Sequence, residues 1–397
     1  MTGTSTGTDE FRARARDWLA ANAPRTPVTG EDEARAFQAK LFDAGLAGIT
    51  WPKAYGGQGL STAEQRAFDE EAKAYELPFE PFMIGLGMVG PTILDLGTEE
   101  QKTTHLPPLL RGERIWCQLF SEPGAGSDVA GLTTRAVLDG AEWVLDGQKV
   151  WTSRAHYSDW GAIIARTDPG VRKHRGITMF LADMHAPGVT VRPLVDMSGG
   201  TYFNEVFFDS VRVPADAVVG EVGQGWSAAV TMLGHERVTI GARMRPKDSP
   251  TSHATLAALA KRRGIDTDPA VARKLTELYV LERGSELFAT RLGQEQRAGK
   301  APGSRGSVGK LAGGRIARFL QDVSFQVAGP GALTYEPDDA ETKALVTAVL
   351  KTPSARIAGG SDEIQRGIIA DRVLGLPKEP SVDRDLPFSE IPRGPQA

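Results

Sequence analysis

Cysteine is almost missing from this chain of 397 residues: Cys117 stands alone. A single thiol excludes an intrachain disulfide and a cysteine-built zinc cluster, and it points to a reducing, cytoplasmic setting. An excess of either charge is also missing. The 46 Lys and Arg residues against 50 Asp and Glu leave a net charge of −4. That balance argues against a nucleic-acid binder and against attraction to an anionic membrane surface. No apolar run is long enough to cross a bilayer. The opening stretch MTGTSTGTDE has no basic n-region and no apolar h-region, so it reads as a short flexible tail and not as a secretory signal. Solenoid-type repeats are absent. What is present is 41% hydrophobic residues, which supply a sizeable core and exclude a disordered chain. The length suits two or three domains.

Three textures follow one another. Residues 1–115 read as helical. Phe11, Ala15, Trp18 and Leu19 recur at helical spacing before Pro24, and EDEARAFQAKLFDAGLAG repeats the pattern. WPKAYGGQGL (51–60) is a Gly-rich loop, and Ser61 with Glu64 three residues later is a capping box. PTILDLGTEEQKTTHLPPLL adds one or two further helices. Residues 116–225 shift towards a period of two, with strands expected in TTRAVL, EWVLDGQKVW, GAIIART, GITMFLA, GVTVRPL and NEVFFDSVRV. Asp146-Gly147 and Asp139-Gly140 read as hairpin turns. No long helix separates these strands, so an antiparallel barrel or sandwich is expected. Residues 226–397 return to long amphipathic helices, which imply a bundle, with mobile loops expected at 245–254 and 298–307. The fold class is α+β and multidomain: an N-terminal helical domain, a middle antiparallel β-barrel and a C-terminal four-helix bundle. The junction of sheet and bundle is the expected ligand site.

The most informative segment is QLFSEPGAGSD (118–128). Gly124 and Gly126 permit positive φ and close backbone approach to a ligand. Ser121 and Ser127 offer hydroxyls, and Asp128 is placed to orient the loop. The segment is neither a Walker loop nor a dinucleotide GxGxxG turn.

CQLFSEPGAGSDVAGLTTRA followed by LDGQKVWTSRAHYSDW resembles the flavin-binding β-domain of the acyl-CoA dehydrogenase family. WPKAYGGQGL, FQVAGPGALTYE and IAGGSDEIQRGIIADRVLGLP extend the resemblance over nearly the whole chain. It implies FAD held non-covalently. The residues it places around the flavin are Leu119, Ser121, Gly126, Ser127, Trp151, Thr152 and Ser153, with Trp151 as an aromatic surface and Ser153 as a hydroxyl near N5. Gln326, Gly329 and Gly331 match the stretch that reaches a neighbouring subunit's FAD, while Ser361 and Glu363 match positions at the adenosine part. Ser127 and Gly360 are implied substrate contacts, and Arg237 either meets the CoA portion of the substrate or stabilises the bundle. The implied reaction removes two hydrogens across Cα and Cβ of an acyl-CoA thioester. An electron-transfer flavoprotein is the implied acceptor, and a homo- or hetero-oligomer the implied assembly.

Two positions depart from the pattern. Gly359 occupies the place where many members carry the catalytic Glu, and Glu236 falls on the alternative position used by other branches. Glu236 is therefore the candidate base. His235 beside it reads as structural or solvated. Arg262-Arg263-Gly264-Ile265-Asp266 stands where an Arg-x-x-Phe-Gly run is common, and an Asp there would repel a pyrophosphate. The missing Glu at 359 and this altered half-site suggest the alternative of a non-catalytic or half-site partner subunit in a hetero-oligomer, and a flavin oxidase or monooxygenase on the same fold is a third reading. No metal site is expected, and Cys117 has no assigned role.

Overall fold

The computed structural model describes residues 3–242, 249–300, 303–334, 339–378, 380, 383 and 385–392. Residues 243–248 and 301–302, within or beside the two expected loops, lie outside the described residues. The chain divides into two compact units: one of Met1–Leu194, Tyr202–Glu236 and Asp383–Ala397, the other of Val195–Thr201 and Arg237–Val382.

The first unit opens with five helices: α1 (Gly3–Asn22), α2 (Glu31–Asp43), α3 (Thr62–Ala72), α4 (Gly90–Leu96) and α5 (Glu99–Arg111). The spacing of Phe11, Ala15 and Leu19 does its expected work: all three are buried with Phe37, Leu41 and Phe68. Helix α1 begins at Gly3, so from that residue on the stretch expected as a flexible tail is helix, and Thr8 hydrogen-bonds Glu64 of α3. The Ser61–Glu64 capping box forms as read, with the Ser61 amide donating to the Glu64 carboxylate at 2.9 Å. A second box, Thr98 with Gln101, starts α5 and was not read from the sequence.

The sheet has eight strands: β1 (Trp116–Leu119), β2 (Arg135–Asp139), β3 (Glu142–Ser153), β4 (Trp160–Arg166), β5 (Ile177–Asp183), β6 (Val189–Leu194), β7 (Phe203–Pro214) and β8 (Val218–Val219). Their order is β6-β7-β3-β2-β4-β5-β8, with β1 also on β4. Among the described residues five pairings are antiparallel, as expected, and two are parallel, β1 with β4 and β2 with β4. The sheet is therefore mixed. Residues 120–159, which include β2 and β3, separate β1 from β4, and a long connection of this kind is what parallel pairing requires.

Of the two expected hairpins, Asp139-Gly140 turns β2 into β3, with Gly140 at φ 65°. Asp146-Gly147 does not turn. It lies inside β3, where the register against β7 shifts between Leu145 and Gly147. Gly147 sits at φ 152°, and a Cβ there would lie 2.5 Å from Thr134 Oγ1. The glycine thus makes a bulge beside a tightly packed neighbour. Asp146 accepts from the Ser210 amide across the bulge at 2.9 Å.

Helix α6 (Gly225–Ala242) starts against the sheet. A Cβ at Gly225 would lie 2.5 Å from Thr178 backbone, so only glycine allows this approach. Ala228, Ala229 and Met232 then join one core with Phe120, Ala125, Leu132 and Met179. In the second unit, α7 (His253–Arg262), α8 (Pro269–Arg297), α9 (Gly306–Ala328), α10 (Gly331–Thr334) and α11 (Ala340–Lys351) share a core that includes Leu256, Leu278, Leu320, Val323 and Leu345. Helix α11 ends at Lys351, ahead of a 3-10 turn holding Pro353, and α12 (Asp362–Ile368) follows.

Candidate functional site

The Gly-Ser loop leaves β1 and returns to the sheet by its own backbone. Glu122 and Ala125 exchange hydrogen bonds at 3.1 and 3.0 Å, and the Val150 amide donates to the Ser121 carbonyl at 2.9 Å. Leu119 is buried beneath it, while Gly126 and Ser127 are exposed at its lip. Neither Gly124 nor Gly126 has positive φ, and a Cβ at either would meet open space. The positive φ expected of these two glycines is not adopted.

What anchors the loop is Glu122. Its carboxylate accepts from the Thr133 amide (2.6 Å), the Thr133 hydroxyl (2.9 Å), the Thr134 amide (2.9 Å) and Lys149 Nζ (2.8 Å). Lys149 also donates to the Phe120 carbonyl at 3.2 Å, and both charged residues are buried. Burial alone would raise the Glu122 pKa, but Lys149 and the donors outweigh it and hold it at about 2. The loop is therefore fixed through a buried ion pair that also ties it to β3.

Strand β3 ends in the Trp151-Thr152-Ser153 run. Trp151 (φ 60°) and Arg154 (φ 60°) are both left-handed, a conformation costly for bulky residues. Surrounding bonds hold it. Asn204, fully buried, donates to the Thr152 carbonyl at 3.0 Å and faces His156 Nδ1 at 3.1 Å. The Arg154 amide donates to the Tyr202 carbonyl at 2.8 Å, and its guanidinium pairs with Glu80. The strain turns the Trp151 indole outward to 60% exposure, edge-on to Phe203. Thr152 Oγ1 is buried without a hydrogen-bond partner, and Ser153 is half-buried. The exposed aromatic face of Trp151, with the half-buried Ser153 two residues on, fits a bound ring system with polar edges.

Glu236 continues the buried stripe of α6 one turn past Met232 and is 9% exposed. His235, the adjacent residue, lies 2.9 Å from the Asp95 carboxylate. The side chain of Arg237 lies outside the described residues. Cys117 is fully buried and burial pushes its thiol up to about 12, in keeping with no chemical role.

The remaining candidates lie in the second unit. Gln326 sits near the end of α9 with Oε1 buried and unpartnered. Gly329 (φ 66°) ends that helix, where Arg263 donates to the Ala328 carbonyl. Arg262 pairs instead with Glu341 on the surface, while Ile265 packs on the helical core. Gly359 and Gly360 are both left-handed, and Gln365 Nε2 donates to the Gly359 carbonyl at 2.9 Å. Ser361 caps α12, and Glu363 pairs with Arg366 at 3.2 Å. Ser361 and Glu363 line a cavity of about 340 Å³ with Arg318, Gln321, Arg356 and Asp362. Among the described residues no group of three His, Cys, Asp or Glu side chains is placed to hold a metal, and no helix is long and apolar enough to cross a membrane.

Helices, a sheet carrying the Gly-Ser loop and the Trp-Thr-Ser run, and helices again define an oxidoreductase of the acyl-CoA dehydrogenase type. The chain belongs to that family. Residues 5–113 match the acyl-CoA dehydrogenase N-terminal domain, 117–211 the middle domain and 223–374 the C-terminal domain. It is 39% identical to acyl-CoA dehydrogenase IpdE1 of Mycobacterium tuberculosis, over 94% of this chain and 98% of the relative. Among solved structures it is similar to the Tcur3481-Tcur3483 steroid ACAD (TM-score 0.76, 30% identity, 94% of this chain and 98% of that one). It is also similar to the ChsE4-ChsE5 complex of Mycobacterium tuberculosis (TM-score 0.74, 29% identity, 96% of this chain and 100% of that one).

Proposed function

We propose that the chain carries out FAD-dependent α,β-dehydrogenation of an acyl-CoA thioester with Glu236 as the base. The observation that carries this reading is a carboxylate buried on the sheet-facing stripe of α6, in a family whose common base position is here Gly359. A carboxylate placed beside Cα of a bound thioester is the type of group that takes a weakly acidic α proton.

FAD, when bound, supplies the two-electron acceptor for the hydride that leaves Cβ. Trp151 offers its exposed face to the ring, Thr152 and Ser153 offer hydroxyls, and Leu119, Ser121 and Gly126 shape the loop beside them. Gln326 and Gly329 are assigned to the FAD of a neighbouring subunit, and Ser361 and Glu363 to the adenosine part of the cofactor. Ser127 meets the thioester end of the substrate, with Arg237 and Gly360 as further contacts. Glu236 takes the Cα proton and holds it as the carboxylic acid. The domain division 1–115, 116–225 and 226–397 belongs to the same reading.

An electron-transfer flavoprotein is the assigned electron acceptor. Solved relatives described as a two-name complex and as a paired steroid ACAD support an oligomer, homomeric or heteromeric, and a ring-bearing acyl group among the substrates to try. Glu236→Gln is expected to lower turnover by about 10²–10⁴-fold, the usual contribution of a positioned base, with flavin content unchanged. Turnover kept at the unsubstituted level would remove Glu236 from the mechanism.

A further inference from the structure

The chain's last described segment returns to the first unit and makes contacts that the reaction above does not use. Phe388 is buried, and its ring lies 3.6 Å from the guanidinium carbon of Arg166. The Phe388 amide donates to the Val171 carbonyl at 2.8 Å, and the Ser389 amide to the Pro169 carbonyl at 2.9 Å. Asp385 pairs with Arg172 at 2.9 Å, and Asp383 pairs with Lys173 at 2.7 Å. All these partners lie at the end of β4 or in the 167–176 connection to β5.

Two of the partners reach on to the Gly-Ser loop and its continuation. Lys173 Nζ contacts both Asp128 oxygens, at 3.2 and 3.0 Å, so one ammonium joins Asp383 to Asp128. Arg166 Nη2 donates to the Ala130 carbonyl (2.6 Å) and the Leu132 carbonyl (3.3 Å), while Nη1 donates to the Lys173 carbonyl at 2.5 Å. Arg166 is buried, so its charge needs this enclosure, and the ring of Phe388 closes one face of it. Residues 121–132 are thus held from beneath by Glu122–Lys149 and from the side by a strap reaching them through Lys173 and Arg166.

We infer that residues 383 and 385–391 form a C-terminal positioning strap, with Phe388 and Asp383 acting through Arg166 and Lys173 to hold the 121–132 loop in place for cofactor and substrate. The flavin part of this inference rests on the function proposed above.

The test uses the full-length protein. Lys173→Met and Phe388→Ala are compared with the unsubstituted chain by amide hydrogen exchange and by FAD affinity. The Ala125, Gly131, Leu132 and Thr133 amides, each bonded within the loop, report on it directly. Exchange at these amides is expected to rise by about 10-fold or more, as local opening becomes easier. FAD is expected to bind several-fold more weakly, and Lys173→Arg and Phe388→Tyr are expected to restore both readouts. Val213→Ala, in the other sheet core, serves as the control for general destabilisation. Unchanged exchange in both variants overturns the strap, as does equal acceleration in the control. Faster exchange with unchanged FAD affinity overturns the loop's flavin role while leaving the strap standing.

Discussion

Glu122 shows how much of a motif's meaning is hidden at the level of single residues. Its place in SEPGAGSD is visible in the sequence, but its work is not. The loop's hydroxyls and glycines look like the functional atoms, whereas the structure puts the anchoring in a buried carboxylate with Lys149, 27 positions away. Nothing in local spacing announces a partner on another strand. Removing one member of a buried ion pair leaves the other charge uncompensated. Glu122→Ala is therefore expected to lower unfolding free energy by about 3–5 kcal/mol in chemical denaturation, and adding Lys149→Met should recover part of the loss. The pH dependence follows from the direction of the shift. The carboxyl is held at about 2 against an ordinary 4.5, so its contribution is complete above 4.5 and is lost as pH falls towards 2. The stability gap between the unsubstituted protein and Glu122→Gln should shrink over that window. His105 gives a second acid-side loss. Burial beside Trp116 and Trp160, with Arg114 nearby, lowers it from 6.5 to about 4. The unfolded chain then binds the extra proton between those values, and stability falls as pH drops from 6.5 to 4. Urea titrations across this range should show a shallower decline in His105→Phe.

Elements were legible in the sequence where periodicity and caps agreed, and less so where a neighbour decided. Helix α3 starts at Ser61 because the cap and the apolar spacing give the same answer. The six longer strands fall on the segments read as strands, but β1 and β8 are four and two residues long, too short to show a period. Asp146-Gly147 has hairpin composition, yet the pairing of β3 with β7 continues past it, and the glycine is spent on a bulge against Thr134. The residue pair is the same for both outcomes; only the partner strand distinguishes them. Gly147→Val is accordingly expected to be destabilising, since a Cβ there meets Thr134 at 2.5 to 2.8 Å. A loss of about 1–3 kcal/mol is the usual size for forcing extra atoms into such a site. A fall in the thermal midpoint checks it, and an unchanged midpoint would mean that Thr134 moves aside freely.

Across the whole molecule the α, β, α order was readable because texture changes over a hundred residues survive local misreadings. The family was readable because several motifs occur together in order. Two features escaped. The boundary between compact units falls within α6, after Glu236, because the first part of that helix buries its apolar stripe with Phe120 and Ala125. The return of Asp383–Ala397 to the first unit depends on scattered contacts, one ring and two carboxylates, that leave no sequence period. The candidate residues divide along the same line. The Gly-Ser loop, the Trp-Thr-Ser run and Glu236 belong to the first unit, and Gln326, Gly329, Gly360, Ser361 and Glu363 to the second. Motif order placed each residue in sequence. Burial, the left-handed turn at Trp151 and the unpartnered Thr152 hydroxyl came only with the fold.

The central claim is that Glu236 removes the α proton of an acyl thioester while this chain holds FAD. The most direct measurement is anaerobic titration of the FAD-loaded protein with a panel of straight-chain and ring-bearing acyl-CoA thioesters, following flavin absorbance and α,β-unsaturated product, for the unsubstituted chain and Glu236→Gln. The account predicts bleaching with product formation in the first, and retained flavin colour with no product in the second. Equal bleaching in both, or none in the unsubstituted protein with any thioester, would contradict it.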